Sequence, residues 1–524
     1  MTQTSAKPAA ISSRDRTGLA AVLLLLLTAA VALAWSHFKL LSQDEIFVLQ
    51  TDSVSSLREL IHIQRHYPIS LDPLVFHVLA HACTKVFGPT ALALRLPSIF
   101  GFLLMQICIF FATRVIAGSR AALIAMAFPA LTATLFYAPE ARPYGLLLGF
   151  YALAFLAWQT ATRRSEGRAG SLVILAVAIA LTLNTHYFGI LILIPICIAE
   201  FVRTVLRRRV DVPVVAAIIV GMAGIVFALP FQKAAGEFRK HYYNAGAISL
   251  RAVSQAYRSL FISYTTQAIA AQRVEAVLLA VFAIVLIGVC FRRLRGESVA
   301  LPTAELTFLL ALAALPLFGV LLAVFVTHSI EVRYVLSAII AISIFFAIAI
   351  EPWTRNRLSW TAVTAVLALA ILLAGVLRVC DERTRSTQEL ALLVLPPALK
   401  AQLLATPDSQ LYIQDMGHFE VASYYEPDPE VRARMALLYS HEDELRYDRH
   451  DTASLTAEHM QHFTGFRIVP YAELKSMPGD HILVLYHSGW DWTDQALAAD
   501  GARATSLGPA LDGDAVAVRL NDAN

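Results

Sequence analysis

The sequence predicts an α-helical polytopic membrane protein with a small α/β domain at its C-terminal end, and three observations carry that prediction. Of the 524 residues 57% are hydrophobic and only 15% charged, and the mean hydropathy is +0.61, which is more apolar surface than soluble cores can hide. Apolar stretches near the roughly 20 residues that a helix needs to cross a bilayer recur along most of the chain. After Cys380 the composition changes to frequent Asp, Glu and His with short apolar runs, as in a soluble domain.

Taken in order, the apolar runs place spans at Leu19 to Trp35, Ala91 to Val115, Ala121 to Tyr137, Pro143 to Thr160, Ser171 to Asn184 and Tyr187 to Val205. Further spans are expected at Pro213 to Phe231, Val274 to Phe291, Leu306 to Val326, Tyr334 to Ile350 and Trp360 to Val379. The total is about eleven. The first run follows Arg14 and Arg16 as a signal peptide would, but no small-residue cleavage site closes it, so it reads as a retained helix. No pair of interrupted helices is visible.

Alternate links between these spans are rich in arginine: Arg114 and Arg120, Arg163 to Arg168, Arg203 to Arg209, Arg292 to Arg295, and Arg355 with Arg357. By the positive-inside rule those links face the cytoplasm, with the N-terminus inside and the tail outside. The division is 1–380 for the membrane domain and 381–524 for the extracytoplasmic α/β domain. The net charge of +3 argues against a nucleic-acid surface. The five cysteines form neither a disulfide framework nor a Cys-x-x-Cys metal site.

Two outer segments are long, Ser36 to Thr90 and Gln232 to Gln272, and function is sought there. Within the first, Pro73 to Phe87 is too short and too His-rich to span, and reads as an interfacial helix. The Tyr- and Ser-rich stretch His241 to Gln267 is a second such candidate. In the tail, Gln410 to Gln414, His481 to His487 and AVAVRL near the end read as strands, with helices at Pro429 to Leu438 and Thr493 to Ala499. That domain has no glycine-rich phosphate loop or nucleophile elbow, and reads as a lid or stabilising cap.

Four polar constellations fall on the outer side. Asp44 and Glu45 (LLSQDEIF) follow the first span; either they are a solvated pair with Asp44 capping a helix, or they supply a carboxylate that takes a proton from a hydroxyl. Glu140, Arg142 and Tyr144 (YAPEARPYGL) are wedged between two spans, where ionised groups are expensive unless paired or employed, and a guanidinium fork suits a phosphate. His186 and Tyr187 (NTHYFG) are an interfacial pair or substrate contacts. Arg333 and Tyr334 (HSIEVRY) open the tenth span from outside, against the usual asymmetry. Together, carboxylates with Arg and Tyr on one face fit a phosphorylated lipid.

These residues resemble the polyprenyl-phosphate-sugar glycosyltransferases of the C superfold (GT-C), which include protein O-mannosyltransferases and the aminoarabinose transferase of lipid A. The resemblance covers about Leu19 to Val379 and rests on Asp44-Glu45, on PLVFHVLAHACTKVFGPTALALRLPS (Pro73 to Ser98), on EARPYGL, on THYFG and on Arg333-Tyr334. It implies a single inverting displacement, with Asp44 as general base on the acceptor hydroxyl and Glu45 positioning acceptor or metal. Arg142, Tyr144, Arg333 and Tyr334 would face the donor phosphate, with Glu140, His186 and Tyr187 as further contacts. Many relatives carry His-Pro-Pro-Leu-Tyr where this chain has Leu71 to Phe76, with Asp72 either substituting as an acid or capping the next helix. Some relatives hold a divalent metal near the acidic loop; His66, His77 and His81 are near, but their spacing is no recognisable ligand set and no metal is assigned.

The partners implied are a polyprenyl-phosphate-linked sugar, an extracytoplasmic acceptor (lipid, envelope glycan or protein) and the lipids of a bacterial inner membrane. Alternatives are a lipid-linked-sugar flippase, which predicts charges at midplane or on both faces, and a ligase or polymerase of polyprenyl-diphosphate glycans.

Overall fold

The computed structural model describes residues 13–238, 241, 250–262, 301–322, 332–357, 359–406, 409–486 and 492–520, with single residues between 273 and 324. The expected span Val274 to Phe291 lies largely outside the described residues, as do His328 to Glu331 and about half of His241 to Gln267.

The chain opens with α1 (Ser13–Phe38), then three short helices, α2 (Gln43–Asp52), α3 (Leu57–His66) and α4 (Leu74–Phe87). Ser42 and Glu45 cap α2 reciprocally in a capping box. The stretch expected to lie at the interface is indeed a helix: α4 buries Phe76, Ala80 and both histidines and exposes Leu79, Val86 and Phe87. Its fastening to α2 is polar, with His77 Nδ1 2.8 Å from Asp52 Oδ1 and His81 Nδ1 2.9 Å from the Asp52 carbonyl.

The next two expected spans share one helical stretch, α5 (Ala91–Ala127), broken at Gly118, whose φ of 82° is open to glycine at little cost. The Gln106 amide donates to the Met126 carbonyl at 2.9 Å, so the chain has doubled back, and it returns through tight turns over Phe128–Leu131 and Ala133–Tyr137. There follow α6 (Tyr144–Arg163), α7 (Arg168–Leu183), α8 (Leu193–Arg207), α9 (Val212–Ala223), α10 (Leu229–Phe238), α11 (Leu250–Ser259), α12 (Thr303–Ala313), α13 (Leu315–Leu322), α14 (Ala338–Arg357) and α15 (Trp360–Leu393).

Among the described residues five helical stretches are long and apolar enough to span, or up to seven if each bent pair is one span. The bent pairs correct the expectation of uninterrupted helices. Val212–Phe227 meets α10 at 52°, and α12 meets α13 at 55°. Pro230 and Pro316 follow the breaks; each lacks an N–H and crowds the preceding turn. Freed carbonyls find donors, since Asn184 reaches Gly224 at 2.8 Å and the Tyr257 hydroxyl reaches Ala313 at 2.8 Å.

Helices α5 and α6 cross closely: a Cβ at Gly101, Gly145 or Gly149 would collide with the facing backbone, the small-residue packing that lets membrane helices approach. The far ends of α6 to α9 and of α12 are closed by buried ion pairs. Arg203 holds Glu200 at 2.8 Å and Asp211 at 2.6 Å, Arg168 also pairs with Asp211, and Arg163 with Glu305. The boundary expected at Cys380 falls inside α15, which runs on beside α1; Trp35 Nε1 donates to Glu382 at 3.0 Å and buried Arg378 donates to the Ala130 and Thr132 carbonyls at 2.9 Å.

After α16 (Pro397–Ala405) comes the α/β module: β1 (Leu411–Ile413), α17 (Met416–Tyr425), β2 (Met435–Tyr439), β3 (Ile468–Pro470), β4 (Asp480–Leu485), β5 (Arg503–Ala510) and β6 (Gly513–Arg519). The sheet order is β3-β2-β1-β4-β6-β5. Strands β1 to β4 pair in parallel, and β6 runs antiparallel between β4 and β5. The expected helix Pro429 to Leu438 is corrected: it stops at Ala433, and MALLY becomes the buried strand β2.

Candidate active site

The near ends of α1, α2, α5, α6 and α14 bring most of the expected residues together, and they do so through a residue whose sequence context gave it no prominence. Arg95, fully buried one turn into α5, clamps Glu45 bidentately at 2.8 and 2.9 Å and donates to the Ser36, Lys39 and Leu40 carbonyls. The backbone N–H groups of Ala141 and Ser42 also donate to Glu45, at 2.8 and 3.1 Å. Burial by itself pushes the Glu45 carboxyl up, but Arg95, Lys39 and these bonds bring it down to about 2. Glu45 therefore ties the α1 end, α2, α5 and the Glu140 loop into one unit.

Its neighbour points elsewhere. Asp44 is 45% exposed, and its Oδ2 lies 3.9 Å from both the Arg142 and the Arg333 guanidinium. Arg142 is held from two sides: its carbonyl accepts from Ser98 Oγ on α5, and its head sits 3.4 Å from Asp72 and 5.9 Å from the Tyr144 ring. Asp72, which the sequence offered as a helix cap or a site acid, lies in the site, its other oxygen 3.6 Å from His186 Nε2.

His186 caps the turn Tyr187–Ile192, accepting from the Phe188 N–H at 3.1 Å, and its ring is 5.7 Å from that of Tyr144. Burial holds the imidazole down at about 4 in spite of Asp72, so it is neutral at ordinary pH. The Tyr187 hydroxyl is buried with no hydrogen-bond partner among the described residues. Arg333 lies in the turn Val332–Val335 that precedes α14; Tyr334 is in the same turn, its side chain outside the described residues. Glu140 stands behind this group, 4.0 Å from Lys39, its carboxyl pushed up chiefly by burial and by the nearby charges of Glu45 and Asp44.

A divalent cation does not fit these donors. Both Glu45 oxygens are engaged by Arg95, Asp44 is flanked by two guanidiniums, and His77 and His81 are spent on Asp52. What the geometry can do is hold an anion between Arg142 and Arg333 beside an exposed carboxylate, because at 3.4 to 3.9 Å these pairs are looser than charge-assisted hydrogen bonds. A separate open cleft of about 580 Å³ lies between α3, α10 and the helix Thr452–Met460, lined by Arg65, His66, Lys233, Glu237 and His459 among others. His459 Nδ1 lies 2.9 Å from the Pro68 carbonyl, four residues before Asp72.

Lys39, Arg95 and Asp72 are the participants that sequence reasoning missed or left open. The usable signal for Arg95 was one guanidinium inside an apolar run, which is expensive in a membrane helix without a partner.

Residues 72–232 match the family model described as dolichyl-phosphate-mannose-protein mannosyltransferase. No curated protein matches the chain by sequence. Its fold is similar to that of ArnT from Cupriavidus metallidurans in the apo state, at 13% identity and a TM-score of 0.61, covering 95% of this chain and 97% of that one. The crystal structure of the same protein bound to undecaprenyl phosphate matches over the same shares, at 13% identity and a TM-score of 0.60. The chain is thus a polytopic membrane protein with the fold of the GT-C glycosyltransferases, matching the protein mannosyltransferase type over residues 72–232.

Proposed function

We propose that this protein transfers a sugar from a polyprenyl-phosphate carrier to an acceptor hydroxyl at the outer face of a bacterial inner membrane. The observation that carries the reading is Asp44, an exposed carboxylate with Arg142 and Arg333 each 3.9 Å away at one end of a membrane helix bundle. In one step the Asp44 carboxylate takes the acceptor's hydroxyl proton, the acceptor oxygen bonds to the anomeric carbon, and the bond from that carbon to the phosphate oxygen breaks. The bonding electrons leave with the lipid phosphate, and Arg142 and Arg333 stabilise the charge it gains. No covalent enzyme intermediate is needed.

Glu45 acts by position: it fixes the helix that presents Asp44 and the loop that presents Arg142. Tyr144 and His186 pack the inner wall, and Asp72 keeps Arg142 aimed when no phosphate is present. The far end of α6 to α9, with its arginines closed in ion pairs, is the cytoplasmic end on this reading, and 381–524 is the extracytoplasmic part. The rival reading as a transporter predicts charges at midplane or on both faces; the arginines named at the far ends are closed in ion pairs, whereas the looser, more open charges lie round Asp44, Arg142 and Arg333 at the near end.

The test is transfer by the purified protein in lipid, using radiolabelled polyprenyl-phosphate sugars and envelope extract as acceptor. Label moving to an acceptor with inversion supports the reading. Label moving only between leaflets overturns it.

A further inference from the structure

Glu420, on α17 of the C-terminal module, is 0% exposed, and neither carboxyl oxygen has a hydrogen-bond partner among the described residues. A carboxylate so placed is held in its neutral form, because an unpaired buried charge is far costlier than a buried acid. Burial pushes the group well above the usual carboxylate range, and the charge that adds to the effect is that of Asp44.

The docking of α17 explains why the charge of Asp44 reaches Glu420. Gly417 sits against the Gln43 side chain, Val421 packs into the cluster of Leu41 and Ile46, and the Tyr425 hydroxyl accepts from the Leu41 N–H at 2.6 Å. Positions 417, 421 and 425 recur every four residues, so one stripe of α17 lies on the segment that carries Asp44; 420, three beyond 417, belongs to that stripe. The sheet adds a second reason. The strand order reverses between β1 and β4, and α17 starts from the carboxyl end of β1, the place where open α/β sheets present groups to ligands. Here that edge meets α2.

We propose that Glu420 is a positioning residue of the transfer site, a buried and unpartnered carboxyl that the C-terminal module holds on the face packed against the segment carrying Asp44. The proposal rests on Asp44 being the base. A neutral acid on that face holds a hydrogen-bond donor in reserve for a group entering the site without adding a second negative charge, so Asp44 keeps its pairing with Arg142 and Arg333. The module is then part of the reaction centre, and not only a cap over it.

The full chain in lipid nanodiscs tests this with Glu420→Met and Glu420→Gln, both close to Glu in size. Glu420→Met is expected to fold with a thermal midpoint at or above that of the parent, since an unpartnered polar group is gone, and to lose at least tenfold in kcat with the donor KM within twofold. Glu420→Gln, which keeps a neutral donor, is expected to recover most of that loss. Parental kcat in Glu420→Met, or Glu420→Gln as slow as Glu420→Met, would overturn the proposal. A separate readout needs no transfer: an infrared band of a protonated carboxyl should vanish in Glu420→Gln and shift in Asp44→Asn. If no such band is lost the proposal fails, whereas parental protein that transfers no sugar but keeps the band pair overturns the proposed function and spares the carboxyl pair.

Discussion

Replacing Glu45 with Gln keeps the shape of the side chain and removes its charge, leaving the Arg95 guanidinium buried without a counter-charge. The pull from an ordinary 4.5 to about 2 is equivalent to about 3 kcal/mol at 1.36 kcal/mol per unit. Removing one partner of a buried pair costs roughly 3–5 kcal/mol by general experience, so the two routes agree. Because the folded carboxyl lies below its unfolded value, this stability is present above pH 4.5 and is lost as pH falls from there towards 2. Extrapolating the usual size scaling to a chain of this length gives roughly 1–2 °C per kcal/mol, hence an apparent midpoint about 3–7 °C lower for Glu45→Gln at neutral pH. The assay is thermal unfolding in nanodiscs, run beside transfer. Glu45→Met with Arg95→Met together removes the stranded guanidinium but leaves the Ser36, Lys39 and Leu40 carbonyls and the Ser42 and Ala141 N–H groups without these partners, so it should recover only part of the loss. A Glu45→Gln protein with the parental midpoint and no transfer would refute the reasoning and make Glu45 a direct participant.

Four other outcomes follow from the same geometry. Arg142→Lys, which loses the planar fork but keeps the charge, should lower kcat/KM for the donor by roughly ten- to a hundredfold, and Arg333→Lys by less, given its greater exposure; phosphate-analogue binding checks the order. His186→Lys puts a fixed charge beside Asp72, which the imidazole, held down at about 4 by burial, does not supply at neutral pH; Arg142 loses its anchor and donor KM should rise about tenfold. For His186 itself, a folded value below the unfolded 6.5 means stability falls as pH drops from about 6.5 to 4, and acid unfolding of parent against His186→Gln measures it. Arg65→Ala with Lys233→Ala should raise the KM of an anionic acceptor severalfold and leave donor KM alone, if the cleft at Pro68 admits the acceptor.

The membrane helices were legible wherever a long apolar run ended in a polar link, as for α1 and α6, because length and hydropathy alone decide such elements. The residues of the candidate site were legible as letters, but not their division of labour. Asp44 and Glu45 are adjacent, yet on a helix neighbours point about 100° apart, so one faces Arg142 and the other is locked to Arg95. Nothing in LLSQDEIF says which, because the deciding partner lies 50 residues further on. Glu420 is more distant still, and no local pattern ties α17 to α2. The misread strand β2 is a short apolar run after Pro429, where helix and buried strand have the same composition and only the neighbouring strands decide. The breaks at Pro230 and Pro316 were visible as prolines within apolar runs, a signal that the count of hydrophobic residues passed over.

The central claim, that Asp44 takes the acceptor proton between two phosphate-holding arginines, is tested most directly by single-turnover transfer with Asp44→Asn in lipid, with donor binding measured on the same preparation. The account predicts donor affinity within about threefold of the parent and a transfer rate lower by 10²-fold or more, the usual scale for losing a general base. Transfer at the parental rate with donor bound would contradict it.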